Sequence, residues 1–444
     1  MRPTDVRIRD AAFSFADFDY RTPLKFGGVP VTQVTLLNVT MTVETAAGKA
    51  AEGFGSMPLG NVWAYPSKEL AYADTLRAMK DLARPVSEVY ARSNSAGHPI
   101  EITHELEAEF FARAGSIPKL ATLVVASAFD AALHDAYGKV HGSNCYRTYD
   151  APHFDRDLGD FLGADFAGDR LQSYLRTTPQ TSMPLYHLVG ALDPLTPADV
   201  AVPVADGGPE HLVDWIYRDG LTHLKIKLNG DDLDWDVRRA VAVNRVASAA
   251  VPSREFRYSL DFNERCRDVE YLLEVLRRVE SESPDGYERI QYVEQPTARD
   301  LRANPSNRMH GAAKLKPVVI DESLLDLETL LLARELGYTG VAFKACKGQT
   351  QSLLLAAAAQ KFGMFRCVQD LTCPGASLIH SAGLAAHIPG VAAIEANSRQ
   401  FVPAANAEWA GRFPRMFTTD DGTLHTGQLT GFGLGAVPLA EAKV

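Results

Sequence analysis

The sequence predicts an α/β protein in which a parallel (β/α) barrel follows a smaller α+β domain. The chain has 444 residues, too many for one small core and suited to a large domain plus a smaller one. Strand-like runs precede helix-like ones in residues 1–121, which is typical of an α+β domain. From Pro184 onward strands and helices alternate, which predicts a barrel.

The first domain is predicted to be an antiparallel hairpin or meander followed by helices. Val31–Glu44 alternates polar with apolar residues and is rich in β-branched ones, which indicates a half-buried strand. Ala46–Lys49 would form the turn into a second strand, Ala50–Gly55. Helical patterns follow at Ser67–Leu82 and Ile102–Gly115.

Two glycine-bearing segments, Tyr20–Gly28 and Gly53–Trp63, are interpreted as loops. Loops of a small domain that lies against a larger one can form a lid over a site. We therefore expect substrate specificity to depend on these two segments and on the surroundings of Glu395.

The barrel is predicted from eight strands that alternate with helices. An Ala-rich helix at Thr122–Gly138 comes before them. The predicted strands are Pro184–Leu188, His223–Leu228, Arg257–Leu260, Ile290–Glu294, Pro317–Asp321, Gly340–Lys344, Phe365–Val368 and Val391–Glu395. The predicted helices are Asp232–Ser248, Asp268–Glu280, Leu325–Leu336, Gln349–Phe362 and Ser377–Ile388, and the link between the fourth and fifth strands is unclear.

Two segments lie outside this alternation. Cys145–Ser182 is polar, with Pro, Asp and Gly, and is interpreted as an insertion. The tail after Val402 is loop-like and is expected to pack on the first domain. The predicted domains are therefore residues 1–121 with 403–444, and residues 122–402 for the barrel.

Composition narrows the class of protein. Hydrophobic residues make up 46% and charged residues 23%, as in soluble globular proteins, and the net charge of −10 argues against nucleic acid as a partner. No apolar run of about 18 residues occurs, and the first ten residues lack an apolar signal core. We expect a cytoplasmic protein with no membrane partner. Its five cysteines contain no Cys-x-x-Cys motif, so reduced, mostly buried thiols are expected.

The segment Thr222–Leu228 indicates where chemistry could occur. As a strand it places His223, Lys225 and Lys227 on one face and aliphatic residues on the other. The two ammonium groups would be about 6–7 Å apart, and such like charges need anionic neighbours.

Charged residues, with one amide, end five consecutive predicted strands. They are Lys225 and Lys227, Asp261 and Asn263, Glu294, Asp321 and Glu322, and Lys344 and Lys347. The strand ends of a barrel point at one mouth, so Asp261, Glu294 and Asp321 can converge on a hard divalent cation such as Mg²⁺. Any one of these acids could simply cap a helix, but five successive strand ends in this order favour a site.

This series, read as Lys-x-Lys, Asp-x-Asn, Glu-Gln-Pro, Asp-Glu-Ser and a later lysine, resembles the enolase superfamily. Within it the chain resembles the mandelate racemase/muconate lactonizing enzyme family, in the branch of muconate lactonizing enzyme. The resemblance implies a modified TIM barrel, (β/α)7β, with an α+β N-terminal capping domain. It also implies Asp261, Glu294 and Asp321 as ligands of Mg²⁺, with Mn²⁺ as a possible substitute.

The same resemblance assigns the catalytic groups. Lys227 would be one acid/base, Lys344 its partner on the opposite face, and Lys225 the neighbour that tunes Lys227. The candidates for substrate binding are Asn263, Glu322, Lys347, Asp370, Glu395, His187, Arg21 and Trp63. His187 and His223 are interpreted as inward-facing wall or substrate contacts.

Two positions depart from known relatives. The eighth strand carries Glu395 and Asn397 where dipeptide epimerases have Asp-x-Asp, which disfavours dipeptides. The His–Asp dyad of the mandelate racemase branch is absent, since the chain has Asp370 and Lys344 instead. Asp370 could bind a substrate hydroxyl or amine, or could cap the following loop.

The sequence therefore predicts an enzyme that removes the α-proton of a small-molecule carboxylate through an enediolate, as a racemase, epimerase or cycloisomerase. One alternative is a dehydratase or other lyase acting on a sugar acid or related carboxylate. Another is a metal-binding barrel without turnover. A homo-oligomer is also expected.

Overall fold

The computed structural model describes residues 2–26 and 28–436. The chain begins with an antiparallel sheet of order β1-β2-β3, formed by β1 (Val6–Phe26), β2 (Val29–Thr45) and β3 (Ala50–Pro58). The predicted turn lies between β2 and β3, where the Thr45 N–H donates to the Lys49 carbonyl at 2.9 Å. The sequence did not predict β1, whose register shift between Ile8 and Asp10 interrupts the alternation of polar and apolar residues.

The prediction of two loops in this region is wrong. Residues 20–26 are the end of β1, and residues 53–58 belong to β3. The glycines of β3 serve close packing, because a Cβ added at Gly53 would lie 2.2 Å from the carbonyl oxygen of Ala132, and one at Gly55 2.0 Å from that of Ala128. A helix can therefore lie directly on this strand.

Four helices follow the sheet: α1 (Asn61–Ala64), α2 (Tyr72–Ala91), α3 (Pro99–Ala114) and α4 (Lys119–Val140). Predicted helices correspond to α2, α3 and α4, with α2 displaced toward the C-terminus. The long helix α4 is buried along most of its length and packs on β2 and β3. Its alanines keep it narrow enough to lie between the sheet and the barrel.

The barrel consists of eight parallel strands closed by pairing of the last with the first. They are β4 (Met183–Val189), β5 (His223–Lys227), β6 (Arg257–Asp261), β7 (Ile290–Glu294), β8 (Val318–Ile320), β9 (Gly340–Phe343), β10 (Phe365–Val368) and β11 (Val391–Glu395). All eight were predicted, and the fold class is confirmed. Alternate residues point inward, and one interior layer consists of Tyr186, Tyr292, Val319, Ala342, Cys367 and Ala393.

Helices surround the barrel and continue the alternation. Their order is α5 (Gly159–Leu162), α6 (Leu212–Asp219), α7 (Leu233–Ala250), α8 (Val269–Glu282), α9 (Pro284–Glu288), α10 (His310–Ala313), α11 (Leu327–Glu335), α12 (Gln349–Lys361), α13 (Ala376–His387), α14 (Ser398–Phe401), α15 (Ala407–Ala410) and α16 (Pro414–Phe417). The unclear link between β7 and β8 holds only the short α10.

The insertion and the tail pack on several parts of the protein. Within the insertion, the Arg176 N–H donates to the carbonyl oxygen of His387 in α13 at 2.8 Å. In the tail, β12 (Thr423–Leu424) pairs with β4, whereas Trp409 stacks on Phe54 of β3. The tail thus contacts both the barrel and the first sheet, and the predicted domain boundaries stay a prediction. No helix in the described ranges is long and apolar enough to cross a membrane.

Candidate active site

Strand register brings the charged strand ends together. Lys227 of β5 pairs with Asp261 of β6, and Asp261 pairs in turn with Glu294 of β7. Because neighbouring parallel strands end at the same edge, these three side chains point into one mouth. Asp321 and Lys344 come directly after β8 and β9 and continue the series around the barrel.

Lys225 lies at the centre of a carboxylate cluster. Its Nζ atom is 3.0 Å from Asp261 Oδ2, 2.8 Å from Glu294 Oε2 and 2.5 Å from Glu395 Oε1. Burial acts to lower the pKa of Lys225, but these three acids together raise it well above its usual value. Burial and the charge of Asp261 raise the pKa of Glu294 well above its ordinary range.

Lys227 lies beside this cluster, on the β5 side of the mouth. Its Nζ is 2.5 Å from Asp261 Oδ2 and donates to Asn263 Oδ1 at 2.9 Å. The ring of Phe26, at the end of β1, lies 5.2 Å from the same nitrogen. Asn263 has a φ of 44°, in the left-handed region that Asn tolerates better than most residues. This turn directs the Asn263 amide back toward Lys227.

Lys344 and Lys347 lie on the other side of the mouth, and both contact Asp321. Lys344 Nζ is 3.0 Å from Asp321 Oδ2, and Lys347 Nζ is 3.2 Å from Asp321 Oδ1. The indole ring of Trp63, from α1, lies 4.5 Å from the Lys344 ammonium. Burial acts to lower the pKa of Lys344, but Asp321 raises it above its usual value. The direct contact with this carboxylate outweighs the effect of burial on Lys344.

Glu322 connects the first sheet region to the barrel. Its Oε1 accepts a hydrogen bond from Trp63 Nε1 at 3.1 Å and lies 3.4 Å from Asn263 Nδ2. Its Oε2 is buried and has no hydrogen-bond partner among the described residues. Burial and the adjacent charge of Asp321 raise the pKa of Glu322 to about 7.

The mouth carries an excess of negative charge. Six carboxylates and four ammonium groups are buried there, which leaves two negative charges in excess when all are ionised. The acids are Asp261, Glu294, Asp321, Glu322, Asp370 and Glu395, and the amines are Lys225, Lys227, Lys344 and Lys347. Uncompensated charge inside a protein is costly, so a bound cation would stabilise this arrangement.

A sequence profile of the enolase C-terminal domain-like family matches residues 210–442, which include seven of the eight barrel strands. The chain belongs to this family. No curated protein matches the chain significantly.

Solved structures of enzymes share the fold of this enolase-like protein over nearly the whole chain. A dipeptide epimerase from Enterococcus faecalis V583, complexed with Mg and L-Leu-L-Tyr, is 15% identical with a TM-score of 0.62, covering 97% of this chain and 99% of its own. A muconate lactonizing enzyme from Pseudomonas fluorescens, complexed with muconolactone, is 18% identical with a TM-score of 0.62, covering 97% and 96%. An enolase from Bradyrhizobium, complexed with magnesium and mandelic acid, is 16% identical with a TM-score of 0.63, covering 98% and 97%.

The carboxylates of the enolase-like protein fit a divalent cation in two respects. Oxygen donors suit Mg²⁺, and the six buried carboxylates outnumber the four amines by two. Within residues 2–26 and 28–436, however, no three His, Cys, Asp or Glu side chains are arranged as a complete ligand set. Lys225 lies between Asp261 and Glu294, so an ion bound by these acids would compete with its ammonium group.

Two predicted substrate contacts lie elsewhere. His187 points outward from β4, with its ring 5.0 Å from that of Trp215 in α6, because inward positions alternate and Tyr186 occupies one. The prediction that His187 faces inward is therefore wrong. Arg21 forms an ion pair with Asp206 at 2.5 Å, and lines, with His187, a separate cavity of about 300 Å³ beside the barrel.

Asp370 acts as a cap. Its Oδ1 accepts from the Cys373 N–H at 3.3 Å and also from that of Thr372, and its Oδ2 accepts from the Asn397 N–H at 2.8 Å. Of the two roles left open by the sequence, the structure supports loop capping. Burial and the charge of Glu395 raise the pKa of Asp370 to about 7.

Two side chains at the site were not predicted from the sequence. Gln369, which directly follows β10, donates a hydrogen bond to Glu294. Its side chain points inward because that of Cys367, two residues earlier, does so. Phe26 contacts Lys227 from β1. Alternation along the strand could have found Gln369, whereas the contact of Phe26 depends on how two distant segments pack.

Proposed function

We propose that this protein is an enzyme that removes and returns the α-proton of a carboxylate substrate, with a divalent cation, Mg²⁺ by preference, held by Asp261, Glu294 and Asp321. Racemisation, epimerisation or cycloisomerisation is the proposed outcome. The observation that carries the proposal is the placement of Lys227 and Lys344. Lys227 ends β5 and Lys344 directly follows β9, and these strands are four apart in a ring of eight, so the two lysines face each other across the mouth.

Two facing amines suit a reaction in which a proton leaves one face of a carbon and returns to either face. A neutral amine accepts the proton from the α-carbon, and the opposite ammonium supplies one. Lys227 is held by Asn263, and Lys344 donates to the carbonyl oxygen of Asp370 at 3.2 Å. These contacts fix the direction of each side chain before substrate arrives.

The buried position of the site supports the same chemistry. Lys227 and Lys344 are each 4% exposed, so little water reaches their amines, and charge interactions there are stronger than in solvent. A divalent cation, when bound, supplies positive charge that stabilises the enediolate anion of the substrate. Lys225 supplies further positive charge beside Glu294.

Deuterium exchange tests the proposal. The protein is incubated with Mg²⁺ and a library of carboxylic acids in D₂O, and deuterium uptake at the α-carbon is followed for the parent, Lys227→Ala and Lys344→Ala. Lys361→Ala, which removes a surface lysine paired with Asp169, is the control. We expect each site variant to lose exchange from one enantiomer, while the control matches the parent.

The outcomes separate the alternatives. Exchange by both site variants at the parental rate would show that the bases are wrongly assigned. Binding of Mg²⁺ without exchange of any acid would favour a barrel without turnover. Loss of a β-substituent from the substrate would favour a lyase.

A further inference from the structure

A cavity of about 680 Å³ leads from the protein surface to the candidate active site. It lies between the segment 61–75, which follows the first sheet, and the barrel loops at residues 263–265 and 298–299. This volume is within the range of small-molecule sites. It is therefore large enough for a substrate that extends well beyond its carboxylate.

The inner end of this cavity is lined by side chains that contact the lysine pair. Phe26 and Trp63 line the cavity, and the same two rings contact Lys227 and Lys344. Asn263 and Glu322 also line it and belong to the charged cluster. A substrate whose carboxylate lies at the cluster must therefore place its remaining atoms in this cavity.

The wall of the cavity as a whole is rich in aromatic and aliphatic side chains. They are Phe26, Val29, Val62, Trp63, Tyr65, Pro66, Leu70, Tyr72 and Ala298. Three of them are large and solvent-exposed at the rim, namely Val29 (45%), Leu70 (45%) and Tyr72 (40%). Exposed apolar side chains that are grouped around one opening are typical of a binding surface.

The polar groups of the wall largely bond to one another. Arg299 pairs with Glu264 at 2.5 Å and donates to the Trp63 carbonyl at 3.0 Å. Asn61 donates to the Thr75 hydroxyl at 2.9 Å. Ser67 Oγ accepts the N–H of Leu70 at 2.9 Å. Apart from Glu322 Oε2, which has no partner among the described residues, and the Lys68 ammonium, the wall offers few vacant partners to a substrate with many hydroxyl groups, which would lose hydrogen bonds to water on binding.

From this lining we infer that the substrate is a carboxylate whose distal part is apolar, either aromatic or branched aliphatic, and not a polyhydroxy acid. This inference rests on the proposed function for the position of the carboxylate. Burial of an apolar distal group against Tyr65, Leu70 and Tyr72 removes both surfaces from water. The sugar-acid alternative drawn from the sequence is thereby disfavoured.

Four 2-hydroxy acids that differ only beyond the reacting carbon test the inference. They are 2-hydroxy-4-phenylbutanoate, 2-hydroxy-4-methylpentanoate, gluconate and galactonate. Deuterium uptake at C2 gives kcat/KM for each acid with Mg²⁺ present, and thermal shift gives binding without turnover. We expect the two apolar acids to exceed the two sugar acids by about tenfold or more in kcat/KM.

A matched pair of variants tests whether the preference for apolar acids arises at the rim of the cavity. Leu70→Gln changes an exposed leucine of the cavity rim, and Leu331→Gln changes a leucine of similar exposure (41%) on α11. We expect Leu70→Gln to lower kcat/KM for the apolar acids about threefold or more, because it removes apolar contact without disturbing the core. Leu331→Gln should match the parent.

The results separate this inference from the proposed function. Equal or faster exchange with gluconate or galactonate would overturn the inference and keep the proposed function. If no acid exchanges, the proposed function fails, and thermal shift decides the inference. A shift with the apolar acids that Leu70→Gln reduces would then support it, and no shift, or a shift with the sugar acids alone, would overturn it.

Discussion

The side-chain amide of Gln369 donates a hydrogen bond to Glu294 inside the barrel, and the same nitrogen donates to the Tyr292 hydroxyl at 3.2 Å. Gln369 comes from β10's end and Glu294 from β7's, so the bond crosses the interior. Glu294 is thereby held between this amide and the ammonium of Lys225. A proposed metal ligand thus depends on a residue that would not itself bind the ion.

Gln369→Leu is expected to weaken Mg²⁺ binding about 10- to 100-fold, as loss of a supporting hydrogen bond typically does. The measurement is the dissociation constant by isothermal titration calorimetry, with circular dichroism to verify the fold. Gln428→Leu, at an exposed position in the tail, is the control and should bind as the parent does. An unchanged dissociation constant for Gln369→Leu would show that Glu294 needs no such support.

Lys225→Met should lower the stability of the metal-free protein, because three carboxylates lose their shared ammonium partner. Removal of one partner from a buried ion pair costs about 3–5 kcal/mol. Added Mg²⁺ should then raise the melting temperature more than it does for the parent, since the ion no longer competes with the amine. Lys361→Met is the surface control, and an equal Mg²⁺-dependent shift in all three proteins would contradict the competition.

Substitutions at Trp63 should separate its two contacts. Trp63→Phe keeps an aromatic ring beside Lys344 but removes the N–H that donates to Glu322, whereas Trp63→Leu removes both. We expect kcat/KM for deuterium exchange to fall in both, and further in Trp63→Leu, because a ring over a buried ammonium contributes about 2 kcal/mol. Equal losses in the two variants would mean that the ring contact adds nothing.

Acid should destabilise the protein in part through His380. This side chain in α13 is buried, and neither ring nitrogen has a partner among the described residues. Burial lowers the pKa of His380 to about 4, from a usual value of about 6.5. The unfolded chain therefore binds the proton more readily than the folded protein does. The contribution of neutral His380 to the free energy of unfolding is intact above pH 6.5 and is lost as the pH falls below that value. The loss is about 2 kcal/mol at pH 5.

His380→Phe removes this titration. Relative to the parent, its free energy of unfolding should rise between pH 7.5 and pH 5 by about the same 2 kcal/mol, measured by urea denaturation at both values. His310→Phe, at an exposed position in α10, should show no such change. A pH-independent difference between His380→Phe and the parent would mean that His380 has the same pKa in the folded and unfolded chain.

Arg21→Ala should leave α-proton exchange unchanged. The guanidinium pairs with Asp206 beside a cavity that lies apart from the lysine pair. The Asp206 side chain is 41% exposed to water, which screens the pair, so the ion pair contributes about 0–1 kcal/mol and the melting temperature should also change little. A loss of kcat/KM with unchanged stability would restore Arg21 to the substrate site predicted from the sequence.

The barrel and the order of its charged strand ends could be predicted from the amino-acid pattern alone. Ile290–Glu294 and Val391–Glu395 were predicted with the bounds that the structure shows, because short apolar runs between helical patterns leave little freedom. Alternate residues of a strand point into the barrel, and neighbouring parallel strands end at the same edge. The side chains of Lys227, Asp261 and Glu294 were therefore expected at one mouth, where the structure places them.

The contacts of the side chains that surround this mouth could not be predicted from the sequence, because they depend on tertiary packing. Phe26 and Trp63 reach the lysines because α4 packs between the first sheet and the barrel, and no local pattern encodes that packing. His187 faces α6 because of its strand's register in the barrel, and Asp370 caps backbone N–H groups of two loops. Periodicity fixes which side of an element is buried, but contacts between distant segments depend on the packing of the whole chain.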